Sequence, residues 1–148
     1  MGVRRNSREK AVQIMYMLHF NKILSLSEAR DAYYEHLNIV NTNRRNEDEF
    51  EFVTYLLDQV KMNQFYIESL VEAALKNWKI ERVGIIEKNI LRISVAEFLD
   101  SNNKVPYKVT INEAIEIARK FCSRDSGSFV NGVINRVADI LNIKDYKI

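Results

Sequence analysis

Chain-breaking residues are almost missing from this sequence, which holds four glycines and one proline in 148 residues. A sandwich or barrel of short strands needs a turn roughly every 8–12 residues, and glycine and proline supply most such turns. A chain this poor in both cannot build one. Leu, Ile, Glu, Lys and Arg are plentiful, and they favour helix. No segment alternates with strand period, so the expected fold class is all-α. The length allows one compact domain, or two small helical halves sharing a core.

Helical spacing then divides the chain. Ser7 is the expected N-cap of a first helix running from Arg8 to about Lys22. Val12, Met15, Tyr16 and Phe20 should face the core, and Ala11, Ile14 and Leu18 widen that stripe. Ser25 and Glu28 form a capping-box pattern that opens a second helix to about Leu37. The Asn-rich segment Asn38–Asn46 reads as a loop. From Glu47 to about Lys76 the pattern is helical, with Phe50, Val53, Leu57 and Val60 on one face and Ile67, Leu70, Val71, Ala74 and Leu75 on a second. The phase falters near Asn63, so we split the region there with Asn63 as a cap, a single unbroken helix being the alternative. Asn77-Trp78-Lys79 reads as a connection, with Trp78 a core anchor. Ile86, Ile90, Ile93 and Phe98 mark an amphipathic helix from about Gly84 to Leu99, closed by Asp100–Asn103 and Pro106. Thr110 with Glu113 is a second capping-box pattern, for a helix to about Cys122. Arg124–Gly127 reads as a turn, with Asp125 or Ser126 capping a last helix to about Leu141. Phe129–Ile134 is its packed start, where Gly132 costs about 1 kcal/mol relative to alanine and implies close helix contact.

Charge is informative by position rather than by total. The net charge is +2, yet Arg4, Arg5, Arg8 and Lys10 crowd the first ten residues against the single acid Glu9. A local basic patch on a near-neutral body suits one anionic partner at one face. Cations at a helix start oppose its dipole by about 0.3–1 kcal/mol each. Tolerance of that cost favours use.

Catalytic equipment is absent from the motifs. His19, His36 and Cys122 are scattered, so no metal site is expected. Phosphate-cradling glycine loops and the nucleophile elbow are missing, and no cofactor is implied. Glu113 and Glu116 share a helix face, which reads as a cap plus a solvated surface rather than an acid–base pair. A single cysteine suits a reducing, cytoplasmic setting, and no uncharged run is long enough to span a bilayer. What remains is a binding module. Arginine-rich helices commonly grip RNA through phosphate contacts and base stacking, and Tyr16, Phe121 and Phe129 are the candidate stacking side chains.

Arg4-Arg5-x-x-Arg8-Glu9-x-Ala11-Val12-Gln13, Asn77-Trp78, Ile86–Arg92, Val105–Ala114 and Phe129–Val133 follow one another over nearly the whole chain. Together, and in this order, they resemble the NusB family of transcription antitermination factors. The resemblance implies two small packed helical bundles, about six to seven helices, forming one domain over 1–148 with halves of about 1–76 and 77–148. It implies binding of boxA RNA together with the small-subunit ribosomal protein NusE. In the RNA polymerase antitermination complex this promotes read-through in ribosomal RNA operons, with no enzymatic activity, cofactor or membrane association. Matched motif by motif, Arg4, Arg5, Arg8, Phe121, Asp125, Ser126 and Phe129 take the RNA face, and Tyr16 and Glu87 the NusE face. Asn6 and Ser7 stand where the family often has a further basic residue. Arg92 should pair with a carboxylate, and Asn112 and Asn131 should satisfy buried backbone groups.

Two rival readings share the residues. One is a protein-interaction module that hides its RNA surface in a homodimer. The other is an enzyme fragment, since a similar helical domain precedes some ribosomal RNA cytosine methyltransferases.

Overall fold

Seven helices account for most of the described residues. The computed structural model describes residues 2–41, 46–100, 102 and 105–143. They form α1 (Val3–Phe20), α2 (Leu26–Asn41), α3 (Glu47–Met62), α4 (Gln64–Leu75), a 3-10 turn at Ile80–Arg82, α5 (Ile85–Leu99), α6 (Tyr107–Phe121) and α7 (Arg124–Ile140). Among the described residues there is no strand. α1, α2 and α3 pack together, α6 and α7 pair closely, and α4 lies against α5 and α7. α5 touches α1, α3, α4, α6 and α7 and so joins the two bundles.

The reason lies in its composition. Ile90, Leu91, Ile93, Val95, Ala96 and Phe98 are all buried, so α5 is apolar around most of its circumference rather than along one stripe. The sequence reading as an amphipathic helix understated this. Truncating such a residue, Leu91 for example, costs about 2–5 kcal/mol through lost burial and the cavity left behind. The stripes expected on α3 and α4 are buried at Val53, Leu57, Val60, Ile67, Leu70, Val71, Ala74 and Leu75, while Phe50 is only half-buried against the core.

Several helix ends differ from expectation. α1 begins at Val3, behind Gly2, one turn ahead of the expected cap. Ser7 is buried within it, its hydroxyl 2.7 Å from the Val3 carbonyl oxygen and 3.2 Å from that of Glu49. The capping box at Ser25 is formed as read. The Glu28 carboxylate accepts the Ser25 N–H at 3.0 Å, and the Ser25 hydroxyl accepts the Glu28 N–H at 3.1 Å. α2 continues to Asn41, past the expected end at Leu37. Of the expected loop Asn38–Asn46, residues 42–45 lie outside the described residues, and Asn46 caps α3 by accepting the Glu49 N–H at 3.1 Å. The chain does break at Asn63, but its amide donates back to the Gln59 carbonyl at 3.0 Å and does not cap α4.

Thr110 and Glu113 form no capping box either. α6 starts a turn earlier, directly after Pro106, and Thr110 is buried inside it. α7 is capped by Ser123, which accepts the Ser126 N–H at 3.1 Å. Arg124–Gly127 is thus its first turn and Phe129–Ile134 its interior.

Three expected core roles also fail. Tyr16, Phe20 and Trp78 are 40%, 69% and 59% exposed. Helical spacing cannot say how far round the apolar stripe extends, and α1 meets its neighbours on the opposite side. Asn112 and Asn131 are exposed and satisfy no buried backbone group. The close helix contact belongs to Gly127, not Gly132. A Cβ on Gly127 would stand 2.8 Å from the Arg119 Cγ, whereas one on Gly132 meets nothing nearer than 3.6 Å.

Candidate nucleic-acid interface

The three arginines of α1 have three different surroundings. Arg4 is exposed, its guanidinium 4.6 Å from the centroid of the Phe52 ring on α3, within cation–π range. Arg5 is partly exposed, and its Nε and Nη2 reach Glu113 Oε2 on α6 at 2.7 and 2.5 Å. Hydrogen bonding to that carboxylate raises its pKa above the ordinary range.

Arg8 is 3% exposed. Its Nε and Nη2 grip Glu97 on α5 in a two-pronged pair at 2.8 and 2.7 Å, and the Thr110 hydroxyl donates to the same carboxylate at 3.2 Å. Burial opposes its charge, but the bonds to Glu97 outweigh that and hold its pKa raised. Of the residues expected at the RNA face, this one is locked inside the protein.

Two further pairs surround the same helix start. Lys10 meets Glu49 at 2.5 Å, and Lys120 near the end of α6 meets Glu9 at 2.8 Å. Arg5–Glu113 and Glu9–Lys120 are reciprocal: a cation and an anion one turn apart on α1 meet an anion and a cation on α6. These pairs lay the arginine end of α1 along α6 from Glu113 to Lys120. Sequence reasoning missed Lys120, Glu9 and Glu113 as parts of the site. The pairs span 108 and 111 residues, and no local spacing signals them.

The turn from α6 to α7 supplies the rest. Phe121 is half-buried, with Lys120 Nζ 5.7 Å from its ring centroid. Asp125 is exposed, Ser126 half-buried, and Phe129 half-buried against the core. Gly127 lets α7 start close against α6. The Ser126 hydroxyl donates to Glu87 Oε2 in the first turn of α5 at 3.0 Å. That bond links a residue expected to face RNA with one expected to face NusE. Tyr16 lies on the same strip of α1 as Arg5 and Glu9, with its ring edge-on to Phe20 at 4.9 Å. The exposed aromatic pair therefore lies on the same side of the helix as Arg5, whereas Arg4 turns to Phe52 of α3.

Elsewhere, Arg92 pairs with Glu68 at 2.5 Å, as expected. A groove of about 450 Å³ runs beside it, with Met15, His19, Lys61 and Asn89 among its lining residues. Asn89 Nδ2 is the one buried side-chain polar atom without a hydrogen-bond partner among the described residues. Partial burial and the nearby Glu87 push the Cys122 thiol pKa up, away from thiolate reactivity. Among the described residues no cluster of His, Cys, Asp or Glu could hold a metal, and no helix is long and apolar enough to cross a membrane.

Fold and site together define a class: an all-α module of two packed bundles whose main chemical feature is a charged helix start beside an interhelical turn. The chain belongs to the NusB family, whose model matches residues 5–139. A transcription antitermination protein NusB from Myxococcus xanthus is 34% identical over 96% of this chain and 99% of its own length. The solution structure of NusB from Aquifex aeolicus superposes with a TM-score of 0.77 at 27% identity, covering 97% and 94% of the two chains. A chain from the crystal structure of antitermination factors NusB and NusE in complex with double-stranded RNA gives a TM-score of 0.81 at 24% identity, covering 95% and 98%, a likeness of fold.

Proposed function

We propose that this protein is an RNA-binding transcription antitermination factor. It binds boxA RNA together with the ribosomal protein NusE and promotes read-through by RNA polymerase in ribosomal RNA operons. The observation that carries this reading is the convergence of Arg5 and Lys120 with Phe121 along the α1–α6 seam, with Arg4 on the adjoining α3 side over Phe52. Cations there meet phosphates, and a half-buried ring beside them offers a base a stacking face.

Arg4 and Arg5 contact RNA directly. Arg8 acts as a positioning residue that fixes α1 against α5. Phe121, Asp125, Ser126 and Phe129 complete the RNA face. Tyr16 and Glu87 form the NusE face, and the Ser126–Glu87 bond makes the two faces neighbours. The protein works as a cytoplasmic binding subunit without catalytic activity. We assign the chain to one domain with halves of about 1–76 and 77–148, a reading supported by the packing of α4, from the first half, against α5 and α7 of the second.

A gel-shift titration with boxA RNA and NusE, separately and together, tests the reading. Arg4→Ala and Arg5→Ala should each weaken binding, and the logarithm of affinity should fall with salt by about 0.7 per phosphate neutralised. Unaltered affinity in the Arg4→Ala/Arg5→Ala protein would refute it.

A further inference from the structure

Counting cations overstates how much positive charge this surface offers. Of the five basic side chains gathered at the start of α1, four are matched one to one with carboxylates: Arg5 with Glu113, Arg8 with Glu97, Lys10 with Glu49 and Lys120 with Glu9. Arg4 has no carboxylate partner among the described residues and rests on Phe52.

The four pairs are not equivalent. Arg8–Glu97 is sealed, with side-chain exposures of 4% and 1%. Lys10–Glu49 is anchored by the buried Tyr34 hydroxyl, which donates to the same carboxylate oxygen at 3.1 Å. The two α1–α6 pairs are open to solvent on the cation side, at 25% for Arg5 and 61% for Lys120. Glu113 and Glu9 are themselves only 15% and 14% exposed, so each carboxylate sits beneath its cation rather than out in water.

We propose that Arg5 and Lys120 form a phosphate site masked in the free protein by Glu113 and Glu9, and that RNA binds by exchanging these carboxylates for its own phosphates. The inference rests on the RNA-binding reading above and adds two things to it. Lys120 becomes an RNA-contacting residue, and the two glutamates become elements that set affinity. A carboxylate and a phosphate oxygen compete for the same N–H donors. Each exchange therefore subtracts from affinity what the internal pair contributes in the free state. Partly exposed pairs of this kind contribute little, so a phosphate of suitable spacing can displace them. A polyanion unable to reach both cations gains less. The mask thus favours RNA that follows the α1–α6 seam over unspecific polyanions, with Phe121 beside Lys120 as the stacking surface.

The test is a fluorescence-anisotropy titration of the full chain with a single-stranded boxA RNA and with a scrambled RNA of equal length. Glu113→Gln and Glu9→Gln keep the side-chain shape and remove the charge. Each should tighten RNA binding by about two- to fivefold, and the scrambled RNA should gain at least as much as boxA. Glu72→Gln, an exposed carboxylate on α4, controls for net charge. Lys120→Ala should weaken binding, and weaken it more in the Glu9→Gln background, where the ammonium is already free. Gains no larger than that of Glu72→Gln, or weaker binding in either glutamine variant, would overturn the mask. Indifference to Lys120→Ala in both backgrounds would remove that residue from the interface. If Arg4→Ala weakens binding while the glutamine variants behave as the control, the RNA reading stands and the mask alone fails. No RNA binding by the unaltered chain overturns both.

Discussion

Arg5 and Arg8 lie one turn apart on α1, and each meets a glutamate on another helix, yet the two contacts do opposite work. The Arg8–Glu97–Thr110 contact is sealed between α1, α5 and α6, where water cannot replace a lost partner. The Arg5–Glu113 contact lies at the rim, where water or a phosphate can. Burial, not residue type, sorts a run of arginines into scaffold and binding surface. A buried pair costs dearly to break because the remaining charge is stranded, while an exposed pair is close to neutral in stability.

Truncating each arginine in turn separates their two roles most strongly. Arg8→Ala should destabilise the fold by about 3–5 kcal/mol, and Arg5→Ala by under about 1 kcal/mol, both read by urea unfolding. Similar losses for the two would show that the burial difference does not govern their roles. Replacing Glu97 and Arg8 together by apolar residues of similar volume should recover most of the loss, because no charge is then left unpaired.

The two glycines of α7 differ in the same way on a smaller scale. Gly127→Ala forces a methyl group to 2.8 Å from the Arg119 Cγ where α6 and α7 meet, and should cost about 1–3 kcal/mol through overpacking. Gly132→Ala meets only ordinary contacts and should stabilise α7 by up to about 1 kcal/mol. Thermal melts of the two variants should move in opposite directions, and equal shifts would contradict the packing seen at Gly127.

The smallest effect belongs to the rim of α2. Hydrogen bonds from the Ser25 backbone N–H, and next its hydroxyl, hold the Glu28 carboxyl below its ordinary pKa. A depressed carboxyl contributes stability above its unfolded pKa and loses it as pH falls through the folded value. Acidification should therefore fray the start of α2 before the core melts, seen as earlier amide exchange at Glu28. Identical acid behaviour in Glu28→Gln would dismiss the capping contribution.

Much of the fold was legible locally. The break at Asn63, the capping box at Ser25–Glu28, the buried stripes of α3 and α4 and the pairing of Arg92 were all readable, since each depends on neighbours within a few turns or on the plain need of a charge for a partner. The candidate site was legible only in part. Its residue types could be read from the arginine cluster and the motifs of the last two helices, but which arginine faces water could not. Tyr16 and Phe20 fit an apolar stripe by spacing and are nevertheless exposed. Thr110 and Glu113 fit a capping box, and each is drawn instead to a partner on another helix, Thr110 to Glu97 and Glu113 to Arg5.

By itself the sequence determined the all-helical architecture, because too few glycines and prolines remain to punctuate anything else and apolar residues recur with helical period. It also determined that cations gather where the first helix begins. Only the tertiary structure decided what those cations do. Ion pairing depends on charges brought together by packing, here across more than a hundred residues, and burial sets whether such a pair can be exchanged. That is why Arg8 ended as an internal clamp, and why Lys120, distant in the chain, joined the arginines at the surface.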